Sequence, residues 1–211
     1  MNMQHFVTEK TEETSSYGKF IISPLPEGFG HTLGNALRRT LLSSIEGAAV
    51  SYAKINDAVH PFSTIKGVKE SVLDIILNLK TLRFKTTGEG PFELTLSIKG
   101  KGMVTGASFK QGDVEVINKD QFIAEITDDK TKLEITLIVE KGYGYIPSEE
   151  KEKKEFGMLA IDSIFSPVTK VNYVVEGTRV GRKSNFDKIT LEIWTDGTIA
   201  PSESLKDTSK L

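Results

Sequence analysis

Apolar positions recur along this chain with two different periods, and the change from one to the other divides it. Leu33, Leu37, Leu41 and Ile45 return at every fourth position. At 3.6 residues per turn that spacing lays them along one helical stripe, with Ala36 and Thr40 beside it. Asn35, Arg39 and Leu42 fall on the opposite side, where a leucine one turn beyond an arginine is not what a purely solvated face carries. The pattern predicts a helix with two occupied faces, one for its own fold or a second copy and one for a different protein. Gly28, Gly30 and Gly34 punctuate its start, as a tight turn with positive φ and close backbone packing require. Gly47 is placed to supply a left-handed cap at its end.

A second helical pattern covers residues 67–80, with Val68, Val72, Ile75, Ile76 and Leu79 on one face. Between residues 81 and 146 the period falls to two, in Phe92, Leu94, Leu96 and Ile98 and again in Leu133, Ile135, Leu137 and Val139. Strict alternation predicts antiparallel strands that each bury one face. Strands are also expected at 48–56, 156–165, 168–176 and 188–195, and at 17–23, where Pro24 and Pro26 should end the run. Residues 1–16 suit a frayed lead-in or a loose edge strand, and the charge run at 148–155 suits an exposed loop. From 199 to 211, Pro201, Glu203, Leu205 and Leu211 predict a third helix, cut short by the end of the chain.

Composition narrows the function. The chain has 211 residues, enough for one large domain or two small ones, and 38% of them are hydrophobic, enough for a core. Lysine plus arginine number 27 against 29 acidic residues, so a net charge of -2 offers no overall attraction to nucleic acid or an anionic membrane. With no cysteine there is no disulfide, thiolate metal site or cysteine nucleophile. Residues 1–16 hold no apolar leader, and no window approaches eighteen consecutive apolar residues, which points to a soluble intracellular protein.

Candidate chemistry is sparse. The spacing Gly28-x-Gly30-x-x-x-Gly34 before a helix could cradle a phosphate, but it is neither a dinucleotide fingerprint nor a P-loop. His5, His31 and His60 stand alone without a second ligand at metal-binding spacing, and His31 suits a first-turn position. No serine sits in a nucleophile elbow, and Arg179, Arg182 and Lys183 read as a solvated turn. A small phosphate-ligand enzyme and a stand-alone homodimeric scaffold stay open on these residues alone.

A resemblance carries the reading further. The run from Pro26 through Gly28, Phe29, Gly30, His31, Thr32, Leu33, Gly34, Asn35, Ala36, Leu37, Arg38, Arg39, Thr40, Leu41 and Leu42 to Ser44 closely resembles the signature of the alpha subunit of bacterial-type DNA-directed RNA polymerase. Gly67-Val68-Lys69-Glu70, Ile75-Ile76-Leu77-Asn78-Leu79-Lys80, Gly142-Tyr143-Gly144-Tyr145-Ile146-Pro147, Ser166-Pro167-Val168 and Thr195-Asp196-Gly197-Thr198-Ile199 resemble the same family in the same order.

The resemblance covers the family's N-terminal assembly domain and implies an α+β fold of two subdomains. One is a discontinuous α/β dimerisation subdomain at 1–47 plus 174–211, and the other an inserted β-rich subdomain at 48–173. It further implies a non-catalytic subunit without cofactor or metal, which forms a homodimer and nucleates assembly by docking the β and β′ subunits. By position, Arg39, Leu42 and Lys80 are the large-subunit contacts, and Phe29, Leu33, Leu37, Leu41 and Leu205 the dimer interface. The expected location is the bacterial cytoplasm, with a plastid left open. The family's second bundle helix runs further than residue 211, residues 201–211 are more polar than a dimer seam, and the family's C-terminal DNA-binding domain is not in this sequence. Neither DNA nor membrane binding is therefore expected of these residues.

Overall fold

The structure, a computed structural model, describes residues 6–110, 112–152, 156–181 and 183–210. His5, Arg182, Leu211 and the last three positions of the 148–155 charge run lie outside the described residues. In chain order the elements are β1 (Val7–Glu13), β2 (Tyr17–Pro26), α1 (Phe29–Ser43), β3 (Glu46–Ile55), α2 (Val72–Lys80), β4 (Phe84–Thr86), β5 (Phe92–Lys99), β6 (Gly102–Thr105) and β7 (Val114–Val116). They continue with β8 (Phe122–Ile126), β9 (Lys132–Tyr143), β10 (Tyr145–Ile146), β11 (Leu159–Ala160), β12 (Ser163–Ile164), β13 (Val168–Val180), β14 (Lys183–Thr195) and α3 (Pro201–Thr208). Helices and strands mix without βαβ repetition, and every named strand pairing is antiparallel, so the fold is α+β.

The chain forms two compact units. The first joins Met1–Ile45 to Ser166–Leu211, and the second is Glu46–Phe165. These divides stand beside the 47/48 and 173/174 boundaries that the family resemblance implies. The second divide falls earlier because Val168 and Val171 already belong to the core of the first unit, as part of the unbroken strand β13.

In the first unit a sheet ordered β1-β2-β14-β13 carries Phe20 and Ile22 on β2 and Ile189, Leu191 and Ile193 on β14 into one buried face. The period-two spacing puts them on the same side. Pro24 does not end β2, which runs on to Pro26 and stops there. Its pairing with β14 slips between Ile22/Ile189 and Leu25/Asp187, which places Pro24 and its missing donor outside the regular ladder, while Leu25 rejoins the core and Pro26 stands opposite Phe186 at the strand end. The second unit has a sheet ordered β11-β3-β9-β5, with smaller ladders β4/β7, β6/β8 and β10/β12. Leu133, Ile135, Leu137 and Val139 of β9 are all buried, as the alternation predicts, together with Ile75 and Leu79 of α2.

Helix boundaries differ from the sequence reading for local reasons. α1 stops at Ser43, where the Ser43 hydroxyl donates back to the Arg39 carbonyl and the Ser44 N–H to Thr40. Gly47 therefore caps nothing; it pairs with Gly142 inside β3. α2 begins at Val72 instead of residue 67, because Ser71 and Asp74 close a reciprocal capping box. Val68 ahead of it bridges to Ile126 as extended chain. The run at 156–165 gives only the two-residue strands β11 and β12. α3 begins at Pro201 and is capped at Ser209.

Candidate functional site

The first unit builds its surface around α1. Gly28 precedes the helix at φ 78°, a conformation that glycine adopts without a steric penalty, and no side chain caps the helix locally. The capping group comes instead from across the fold: the Gly30 N–H donates to Asp187 Oδ2 of β14 at 2.9 Å. A carboxylate at a helix N-terminus satisfies an unpaired donor and the helix dipole together. It also stands where a phosphate would have to bind, so the phosphate-cradle alternative is overturned by charge as well as by spacing.

Gly30 and Gly34 lie against β13. A Cβ on Gly30 would meet Val175 Cγ1 at 2.5 Å, and one on Gly34 would meet the Tyr173 ring at 2.5 Å. The ring of His31, in the first turn, sits edge-on to Tyr173 with centroids 6.4 Å apart. The small residues thus let the helix approach the sheet closely.

The leucine stripe divides along its length. Leu41 is 0% exposed in the first unit's core and offers no surface to another chain, which corrects its expected place in a dimer interface. Ile45 is buried with it. Leu33 and Leu37 are half-buried, and with Phe6, Phe20, Ile22 and Leu205 they line an apolar groove of about 780 Å³ between α1, α3 and β1/β2. Phe29 is 49% exposed. α3 reaches this position by a stripe of small residues, Pro201, Ser204 and Thr208, all buried. Ser204 and Thr208 donate their hydroxyls to carbonyls of their own helix. Gly18 leaves room for Pro201, and Glu13 holds the Ser202 N–H at 2.9 Å. The Lys10 ammonium beside Glu13, together with Ser202, lowers the Glu13 pKa to about 2.

On the other side of α1, Arg39 is exposed, and among the described residues its guanidinium has no hydrogen bond or ion pair. Leu42 is half-buried, packs on its own unit's core, and accepts the Ser166 hydroxyl at its carbonyl at 3.1 Å. Lys80 belongs to the second unit. Its ammonium forms an ion pair with Asp162 at 2.8 Å, and that contact, with the Ser148 N–H, holds the Asp162 carboxyl well below the usual carboxylate range. Lys80, expected from the resemblance as a large-subunit contact, thus has its charge paired within its own unit.

Asp187, Glu13, Asp162 and Phe6 were missed by sequence reasoning. Each acts wholly or, for Glu13 with its neighbour Lys10, partly through residues distant in the chain, and none carries a local motif. Among the described residues, no group of three or more His, Asp or Glu is placed to hold a metal, and no helix is long and apolar enough to cross a membrane.

The geometry sets a class: an α+β chain in which one compact unit is interrupted in sequence by a second. The profile of the RNA polymerase Rpb3/RpoA insert domain matches residues 53–166, which lie almost wholly in the second unit. Over 205 residues the chain is 48% identical to a DNA-directed RNA polymerase subunit alpha of Clostridium botulinum (strain Eklund 17B / Type B), covering 96% of this chain and 65% of that protein. Over 204 residues it is 46% identical to the same-named protein of Roseiflexus castenholzii, covering 96% and 63%. This chain belongs to the family of RNA polymerase alpha subunits. It spans about 65% of the length of the first of these relatives.

Proposed function

We propose that this chain is the assembly part of an alpha subunit of DNA-directed RNA polymerase, a cytoplasmic scaffold that forms a homodimer and docks the large β and β′ subunits. The catalytic chemistry belongs to those other chains. The observation that carries the reading is α1, a helix in a fold of this family that presents half-buried leucines on one face and the exposed Arg39 on another. In this reading Leu33, Leu37, Phe29 and Leu205 cover the groove with a second copy, and Arg39, with Leu42 beside it, meets a large subunit. Lys80 serves docking from the second unit while paired to Asp162.

Light scattering over a concentration series, with and without purified β subunit, tests both halves. The expected result is a monomer–dimer equilibrium and a larger complex on adding β. Leu37→Asp should abolish the dimer. Arg39→Ala should weaken capture of β by about 2 kcal/mol, as truncating a central interface arginine does, with folding intact. A monomer at all concentrations, or unchanged capture of β by the Arg39 variant, would overturn the corresponding half.

A further inference from the structure

The ladder between β3 and β9 contains one extra residue. Val50 pairs with Val139 and Tyr52 with Ile138, which leaves Ser51 as a bulge without an opposite number. Ser51 is fully buried, so its carbonyl and that of Val50 need donors from elsewhere. The Ser51 carbonyl accepts the Ile161 N–H at 2.9 Å and the Lys151 ammonium at 3.3 Å. The Val50 carbonyl accepts the Ser163 hydroxyl at 2.6 Å. Lys151 Nζ also donates to Ser163 Oγ and to the Ile161 carbonyl. One ammonium thus serves three oxygens on residues that are all buried. It lies 5.7 Å from the centroid of the Tyr52 ring, whose hydroxyl donates to the Glu152 carbonyl at 2.9 Å.

The other end of the same short segment is held by a second ammonium. The Ser148 N–H donates to Asp162 Oδ1 at 2.9 Å, and Asp162 Oδ2 accepts Lys80 Nζ from α2 at 2.8 Å. Asp162 and Ser163 are consecutive residues. Both ends of 148–152 are therefore tied to one point of the chain, which also meets the end of α2 and the bulge of β3.

We infer that residues 148–152 are a strap locked across the β3 bulge by Lys151 and by the Lys80–Asp162 pair, and that releasing either lock opens the whole strap. Removing the Lys151 ammonium leaves buried oxygens short of a donor, and water can replace it only by lifting the segment that covers them. Freeing Asp162 loosens its neighbour Ser163 and so the acceptor that Lys151 uses. The closed strap keeps Ser51, Ser163 and the bulge carbonyls from water; the open strap exposes them. This device goes beyond the docking role, since it needs no partner.

Hydrogen exchange resolved to single amides, on the full chain, tests the coupling. Lys151→Met and Asp162→Asn should each accelerate exchange at both Ser148 and Ile161 at least tenfold, with Leu96 and Leu137 of the central sheet unchanged. The double variant should go little further than either single one. Exchange at Ser148 within twofold of the parent in Lys151→Met, or at Ile161 in Asp162→Asn, overturns the inference. If Lys151→Met does not fold, acetylation rates decide it. In the parent, Lys151 should react at least tenfold more slowly than the exposed Lys66, and Asp162→Asn should remove most of that gap. Equal rates for Lys151 and Lys66 in the parent overturn it.

Discussion

Replacing Gly34 with alanine sets two effects of opposite sign against each other. In a helix interior alanine is favoured over glycine by about 0.8–1.0 kcal/mol, so propensity alone predicts a more stable protein. The packing predicts the reverse. The new Cβ would lie 2.5 Å from Tyr173 Cδ2, 2.7 Å from Cε2 and 3.0 Å from Cγ, the face of an aromatic ring and not the end of a flexible side chain. Ordinary carbon contacts begin near 3.5 Å, so the ring or the helix must retreat by roughly 1 Å. Tyr173 is held on β13 opposite Leu191 and packs against the unit's core, with His31 edge-on to it. Overpacking of this kind costs about 1–3 kcal/mol. The balance is a net loss of about 1 kcal/mol, or about 2–4 °C in Tm for a chain of this size. Urea titration followed by the fluorescence of Trp194, the sole tryptophan, which sits on β14 in the same unit, reads this loss directly. Asn35→Ala, next along the helix and exposed, is the control and should be neutral to slightly stabilising. A Gly34→Ala protein more stable than the parent would refute the claim that the glycine is there for close approach.

The same probe reads four further changes. Leu41→Ala removes a side chain with no exposed surface and should cost about 2–5 kcal/mol at any protein concentration. Leu33→Ala should cost less, with a loss that depends on concentration if a second copy covers the groove. Asp187→Ala deprives the Gly30 N–H of its acceptor and should cost about 1 kcal/mol by urea titration. Glu13 ionises in the folded chain near pH 2, against 4.5 ordinarily, because Lys10 and Ser202 hold its charged form. Its contribution is complete above about pH 4.5 and is lost as pH falls towards 2. Urea midpoints at pH 5 and pH 2.5 should therefore fall less in Glu13→Gln than in the parent.

What the amino-acid sequence determined by itself was the local geometry. The four-residue stripe made α1 a helix, alternation made β5 and β9 half-buried strands, and Gly28 supplied the left-handed turn, because each depends on neighbours along the chain. The ordered motifs pointed to the alpha-subunit family for a related reason: they are continuous in sequence. Tertiary structure decided how each pattern was used. Periodicity says that Leu33, Leu37 and Leu41 share a face, but only the arrival of the β2, β13 and β14 side chains buries Leu41 and leaves the other two at a groove. The charge of Lys80 at the end of α2 is paired by Asp162, 82 residues away in sequence, which no local pattern announces. The capping carboxylate of α1 comes from 157 residues away, and no spacing rule reaches that far. Side-chain direction is set within a turn or two of chain, whereas burial and pairing are set by whatever the fold brings opposite.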